Sequence, residues 1–258
     1  MIDLHTHLLP GVDDGAETLA EAVAMARLAA ADGITTIVAT PHRNPWSYRE
    51  GRADAERRLL EVRQACQREG IALCLLLGGE SHIAPDLPHQ LETGLALTIN
   101  GSRYLLIEWP LADYPPYSDQ VIFELQVRGI IPVVAHAERY RFVQRDPQGL
   151  ARQVERGVLA QVTASSLLGE FGPRVRRVSE DLLTRGLAHL IASDSHGPER
   201  RAPVLSRARA RAAELVGEER ARALVEDVPR AIINDERVDL PPPVLPKPRP
   251  FWMFWRAG

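Results

Sequence analysis

The sequence predicts an α/β protein in which short parallel strands alternate with amphipathic helices and close into a (β/α) barrel. Three observations predict it. A helical pattern, then glycine, then a short apolar run recurs five times along the chain. The runs are apolar throughout rather than alternating, as strands covered on both faces are. The alternation extends over most of the 258 residues, which favours a barrel over an open sheet.

The elements follow in order. Residues 1–4 read as a first strand. Thr18 and Glu21 form a capping-box pattern at the start of the first helix. Along that helix Leu19, Ala22, Val23, Ala26 and Ala30 fall on one face. Gly33 then precedes an apolar run at 34–40, and Gly70 precedes 71–77. A further strand is read at 104–109. Gly129 precedes 130–135, Gly157 precedes 158–163, and Gly186 precedes 187–192. Glycine is favoured just past a helix C-terminus because it takes the left-handed conformation without a Cβ penalty. That makes about seven strands. Residues 202–227 read as one helix rich in Arg and Ala. Six prolines fall between Pro241 and Pro250, followed by Phe251-Trp252-Met253-Phe254-Trp255. Such a proline run is stiff and extended. The chain is therefore expected to be one domain over 1–236 with a Pro-rich and aromatic tail over 237–258.

Composition narrows the function classes. Hydrophobic residues make up 45% and charged residues 25%, enough for a sizeable core. The net charge of −3 provides no broad basic field, which argues against nucleic acid as a partner. Only Cys66 and Cys74 are present, so a disulfide framework is excluded, and both are expected to pack as small apolar residues. The N-terminus has no basic region leading into an apolar run, and no stretch is long and apolar enough to span a bilayer. A cytoplasmic protein is expected, reaching a membrane only through a partner.

The chemistry-bearing residues fall at strand C-terminal ends. His5 and His7 follow the first strand, with Asp13 and Asp14 soon after. His42 follows the second strand and Glu80 the third. Glu108 ends the next, and His136 the one after it. Asp194 and His196 follow the last. In a barrel all these ends meet on one face, where such enzymes place their sites. A lone His or carboxylate after a strand is ordinarily a polar loop residue or half of an ion pair. Nine such residues, counting one of the adjacent Asp13 and Asp14, at the same end of six strands are a coincidence that scattered surface residues would not produce. His-x-His on an extended segment also brings both imidazoles to one side. The donors are nitrogen and oxygen without thiolate, which suits Mn, Fe or Zn and a catalytic rather than structural site.

These residues resemble the PHP (polymerase and histidinol phosphatase) superfamily. The segments that carry the resemblance are Ile2-Asp3-Leu4-His5-Thr6-His7, Leu9-Pro10-Gly11-Val12-Asp13-Asp14-Gly15 and Ala39-Thr40-Pro41-His42. Within the superfamily the chain is similar to the CpsB/YwqE-type bacterial tyrosine-protein phosphatases, which act with capsular polysaccharide kinases. His136-Ala137-Glu138-Arg139-Tyr140 matches that family's His-Pro-Glu-Arg-Tyr but for one position. Ser166-Leu167-Leu168-Gly169-Glu170-Phe171-Gly172 and Ile191-Ala192-Ser193-Asp194-Ser195-His196 match two further stretches, so the resemblance runs from Met1 to about Asn234.

The resemblance implies a distorted (β/α)7 TIM-like barrel, the PHP fold, holding three divalent metal ions. Manganese is the metal favoured, with iron, zinc or magnesium as alternatives. His5, His7, Glu80 and Asp194 would hold the first. Glu80 would bridge to a second, completed by Glu108 and His136, and Asp14, His42 and His196 would hold the third. Arg139 corresponds to the family's phosphate-binding arginine, with Arg201 as a second. Three positions depart from the pattern. Arg43 stands in place of a second His, Thr163 stands where Asn is common, and Ala137 replaces Pro, which is expected to loosen the turn that aims Arg139.

The activity so implied is hydrolysis of protein phosphotyrosine, the substrate being a capsule or exopolysaccharide tyrosine kinase. Metal-activated water would attack phosphorus directly, with Asp194, Arg139 and Arg201 as the catalytic group. A cysteine nucleophile is excluded, because the residues six positions after Cys66 and Cys74 are Ala72 and Glu80 rather than Arg. The alternatives are a histidinol-phosphate or other small-molecule phosphatase, a nuclease, and a metal-binding scaffold that regulates a kinase. Beyond Arg201, the arginines at 200, 207, 209 and 211 read as a solvated helix face. Trp46 and Tyr48 could stack on a substrate ring or pack their own loop, and the terminal aromatic segment could dock on a partner or on the barrel. His82, His89 and His189 read as structural or exposed.

Overall fold

The structure is a computed structural model that describes residues 1–43, 51–239 and 244. Nine strands are found among them: β1 (Ile2–Thr6), β2 (Thr36–Ala39), β3 (His42–Arg43), β4 (Cys74–Leu77), β5 (Glu80–His82), β6 (Tyr104–Glu108), β7 (Ile131–Val134), β8 (Leu159–Thr163) and β9 (Leu190–Ala192). All pair in parallel, in two curled sheets ordered β1-β2-β4 and β3-β5-β6-β7-β8-β9. The two ends of this arrangement approach one another. Asp194 N–H donates to His5 O and His7 N–H to Ser195 O, both at 2.9 Å, and Thr6 bridges to Ser195.

Strands buried on both faces explain the continuous apolar runs. In β6, Tyr104 and Leu106 join one core cluster while Leu105 and Ile107 join the other. The larger cluster packs helices against the sheet, and the smaller links alternate strand residues to Ile99 and Ile232. The five glycines expected to end helices, Gly33, Gly70, Gly129, Gly157 and Gly186, all have positive φ, between 66° and 89°.

Several expectations are corrected. The runs at 34–40 and 71–77 each hold one strand, β2 and β4, but each is followed by a further short strand, β3 and β5, that the pattern does not give. Pro41 has no N–H to donate, and the chain breaks there between β2 and β3. Gly78-Gly79 separates β4 from β5. The first helix spans Leu19–Ala31 and buries Ala22, Val23, Met25, Ala26 and Ala29, leaving Leu19 and Ala30 only half-buried. Its capping box is half formed. Thr18 Oγ1 accepts from Glu21 N–H at 3.2 Å, but the Glu21 carboxylate accepts from Glu17 N–H rather than from Thr18. The helix expected over 202–227 is two, Ser206–Val216 and Glu218–Val225, broken at Gly217 with φ +86°, and a third, Asp227–Ile233, begins where it was expected to end. Cys66 is buried as expected, but Cys74 is exposed.

Arg209 and Arg211 pair with Glu218 and with Glu180 and Glu214, while Arg200 and Arg207 are exposed, in keeping with a solvated face. No helix among the described residues is long and apolar enough to cross a membrane. Trp46, Tyr48 and the aromatic segment at 251–255 lie outside the described residues, as does the tail apart from 237–239 and 244.

Candidate metal centre

The nine donors expected at the strand ends do come together. A bulge between Asp3 and Thr6 adds one residue to β1 relative to β2, and bulges re-aim side chains beside sites. His5 Nε2 and His7 Nε2 lie 3.2 Å apart. Glu80 Oε2 stands 3.2 and 3.4 Å from these two nitrogens, and Asp194 Oδ1 stands 3.3 and 3.4 Å from them. Five of the six separations among these four atoms are thus nearly equal. Glu80 Oε2 is fully buried and accepts no well-formed hydrogen bond, although His42 Nδ1 also stands 3.0 Å away. A buried carboxylate oxygen facing three imidazole nitrogens is what a site for a divalent cation requires.

The remaining donors extend the group to either side. His136 Nε2 lies 2.9 Å from Glu80 Oε1 and 3.8 Å from Glu108 Oε2. His42 Nδ1 lies 3.5 Å from Glu108 Oε1, while its Nε2 lies 3.5 Å from Asp14 Oδ1. His196 Nε2 faces the same Asp14 oxygen at 3.4 Å. Three groups of donors are therefore compact enough to hold an ion: His5, His7 and Glu80; His42, Glu80 and Glu108; and His7, Asp14, His42 and His196. His42 faces two of these groups, which the sequence pattern does not anticipate.

Neighbours to which sequence reasoning gave no part in the donor set orient the imidazoles. Asp13 turns away from the donors and accepts at Oδ2 from His7 Nδ1 at 2.7 Å and from His42 N–H at 2.9 Å. Its Oδ1 accepts from Gly15 N–H at 3.0 Å. Gln161 Oε1 lies 2.9 Å from His5 Nδ1 and accepts from His136 N–H at 3.1 Å. Thr163 Oγ1 accepts from Gln161 Nε2 at 3.3 Å, so this departure from the family pattern holds the amide in place. Such partners fix ring orientation and tautomer. The one available signal for Gln161 was a lone amide inside an otherwise apolar strand.

The electrostatics follow from burial and crowding. Burial disfavours charge on Glu80 and Asp194. The imidazoles beside both, and Arg201 beside Asp194, outweigh it and hold both carboxyls well below their usual range. Burial also opposes protonation of the rings. Glu80 and Asp194 nevertheless raise His5, and Asp13 raises His7 further. Glu80 and Glu108 push His42 up to about 10. In His196 burial wins and lowers the ring. Metal binding at such a site must displace protons from imidazoles.

Two guanidiniums border the donors. Arg139 Nη1 donates to Asp194 Oδ2 at 3.0 Å, and Arg201 Nη2 donates to the same oxygen. The turn carrying Arg139 is held by several hydrogen bonds. Arg139 N–H bonds His136 O at 2.9 Å, Glu138 Oε1 accepts from Thr163 N–H at 3.2 Å, and Gln144 Nε2 bonds the carbonyls of Glu138 and Arg139. His136, Asp194 and Arg201 all take positive φ, 34°, 51° and 56°, so strained backbone gathers at this centre. His82 Nδ1 lies 3.7 Å from Glu108 Oε1 at the margin of the group, whereas His89 is exposed. His189 is buried elsewhere, accepting at Nδ1 from Ala160 N–H.

Known proteins resemble the chain at each level. Tyrosine-protein phosphatase YwqE of Bacillus subtilis is 38% identical over 201 residues, 78% of this chain and 79% of its own length. Tyrosine-protein phosphatase CpsB of Streptococcus pneumoniae is 28% identical over 243 residues, 92% of this chain and all of its own. One of the crystal structures of YwqE and CpsB, described as unique metal-dependent tyrosine phosphatases, superposes with a TM-score of 0.92 at 34% identity. That superposition covers 96% of this chain and 100% of the other. With the family model for capsular polysaccharide synthesis proteins matching residues 1–234, the chain belongs to the CpsB/CapC family.

Proposed function

We propose that the chain is a metal-dependent phosphatase that hydrolyses protein phosphotyrosine, its substrate being a tyrosine kinase of capsule or exopolysaccharide synthesis. The observation that carries this reading is the position of Asp194. Its Oδ1 faces the His5 and His7 nitrogens at 3.3 and 3.4 Å, while its Oδ2 receives Arg139 and Arg201. A phosphoryl group beside that carboxylate meets both the donor cluster and two guanidiniums, which match phosphate oxygens in geometry and charge. The names of the relatives, tyrosine-protein phosphatases in each case, supply the substrate class.

In this reading His5, His7, Glu80 and Asp194 hold one divalent cation, and Glu80, Glu108 and His136 a second. Asp14, His42 and His196 hold a third, with manganese the metal favoured. Bound cations supply Lewis-acid charge that activates water and neutralises phosphoryl oxygens. The chain's own residues do the rest. Arg139 and Arg201 bind and orient the phosphoryl oxygens. Asp13 and Gln161 keep the rings of His7 and His5 aimed inward. The phenolate of tyrosine, with a pKa of about 10, departs without a dedicated acid. Cys74 begins β4, at the end of that strand away from Glu80, which supports hydrolysis without a cysteine nucleophile. The same reading treats β2–β3 and β4–β5 as single bent staves, so that nine strands trace a distorted (β/α)7 barrel over 1–236, with 237–258 as a tail.

Phosphate release from a phosphotyrosine peptide and from histidinol phosphate, with Mn²⁺ and with chelator, tests this. Chelator-sensitive turnover of the peptide in preference to histidinol phosphate is the expected result. Preference for histidinol phosphate would replace the substrate, and no turnover of either by metal-loaded protein would refute the phosphatase reading.

A further inference from the structure

Two like charges are drawn to one point at the edge of the donor cluster. Arg139 arrives on the turn after β7 and Arg201 on the segment after β9, and both donate to a single carboxylate oxygen of Asp194. One oxygen leaves most of their N–H groups unused, and Arg201 Nε is buried without a partner. Two guanidiniums sharing one anion repel each other, so something further must hold them together.

That something is Phe171. The Arg139 guanidinium carbon lies over its ring at 4.8 Å from the centroid, and that of Arg201 at 5.9 Å. Both distances are within the range in which the negative ring face attracts a cation. The ring is carried on a firmly bonded turn between the helices Ala164–Leu167 and Pro173–Thr184. Gly169 N–H bonds Ser166 O, Glu170 N–H bonds Ser165 O, and Gly172 N–H bonds Gly169 O, each at 3.0 Å. An aromatic face attracts cations without presenting a competing carboxylate, so it can hold two arginines and leave their outward N–H groups to an incoming anion.

We infer that Phe171 is a positioning residue whose ring is the shared platform that holds Arg139 and Arg201 together to receive phosphate. This rests on the phosphatase reading for its biological sense, but it makes its own prediction for anion binding. The probe is inorganic phosphate, titrated calorimetrically into Mn²⁺-loaded protein. Phe171→Leu removes the ring face while keeping an apolar side chain, and is expected to weaken phosphate binding by roughly fivefold to thirtyfold, as the loss of two such contacts implies. Phe171→Tyr keeps the face and should bind phosphate as the parent does. In an Arg139→Ala background the cost of Phe171→Leu should shrink, because one of its two cations is gone.

Three results would overturn the inference. The Leu variant could bind phosphate as tightly as the parent. It could lose the same factor with or without Arg139, which would mark a merely structural role. It could lose turnover of a phosphotyrosine peptide while keeping phosphate affinity, which would assign the ring to the substrate instead. If Phe171→Leu fails to fold, Phe171→Met carries the same expectation. A parent protein that binds phosphate in a Phe171-dependent way but hydrolyses no phosphotyrosine would remove the proposed function and leave this inference standing.

Discussion

Replacing Asp13 by Asn tests whether a residue outside the donor group controls metal affinity. The carboxylate accepts at Oδ2 from His7 Nδ1 at 2.7 Å and from His42 N–H at 2.9 Å, and at Oδ1 from Gly15 N–H at 3.0 Å. An amide has one oxygen, so its NH₂ must face either the His7 and His42 donors or the Gly15 N–H. The His7 contact is of charge-assisted length. Losing one such bond costs about 1.5–3 kcal/mol, which is about a 10-fold to 150-fold change in an equilibrium constant. Partners of this kind are in general worth about 10-fold to 100-fold in metal affinity. Chelator-stripped Asp13→Asn protein should therefore need that much more Mn²⁺ for half-maximal phosphate release, with the same shift in a calorimetric metal titration. Most turnover should return at saturating metal, because no proposed donor has been removed. An unchanged half-saturating concentration in folded protein would refute the reasoning, as would a loss of turnover that excess metal cannot restore.

Three further outcomes follow from the same geometry. A Cβ at Gly15 would press on His7 O, Cβ and C, so Gly15→Ala should destabilise the protein by about 1–3 kcal/mol in denaturant melts and lower its metal uptake, although no donor is removed. Metal affinity should rise with pH between about 6.5 and 10. His42 is held up at about 10 in the metal-free protein, so its stabilising protonation is complete below the unfolded value near 6.5 and is lost as pH rises through 10, while binding requires the neutral ring. Titrations at several pH values with proton release measured check this, and a pH-independent affinity would contradict it. Tyr140→Phe should cost about 1–3 kcal/mol in unfolding free energy, because buried Trp109 N–H donates to Tyr140 Oη at 3.0 Å and would lose its acceptor.

Much of this is legible in the sequence, and for local reasons. The left-handed glycines after helices identify strand starts because glycine alone takes that conformation without penalty. The apolar runs identify buried strands because a parallel sheet is covered on both faces. The breaks at Pro41 and Gly78-Gly79 were less legible, since a missing N–H or side chain marks a weak point without showing that the chain resumes as a strand. Cys74 was misjudged because its strand starts at the exposed rim, and burial depends on what packs over a position. Asp13 and Asp14 are adjacent and chemically identical, yet one orients His7 from behind while the other faces His42 and His196 across the open side.

By itself, then, the sequence pointed to the residues that gather in the donor cluster, because donor type and place at a strand end are local properties. It also carried the family, because motifs such as His5-Thr6-His7 and Ser193-Asp194-Ser195-His196 are contiguous in the chain. Only the tertiary structure decided which donor faces which. His42 stands between two donor groups, Gln161 reaches His5 across 156 residues of chain, and Phe171 meets two arginines from different strand ends. Those relations depend on separations of a few ångströms between segments far apart in sequence, which the packing of the whole curled sheet sets and no local pattern encodes.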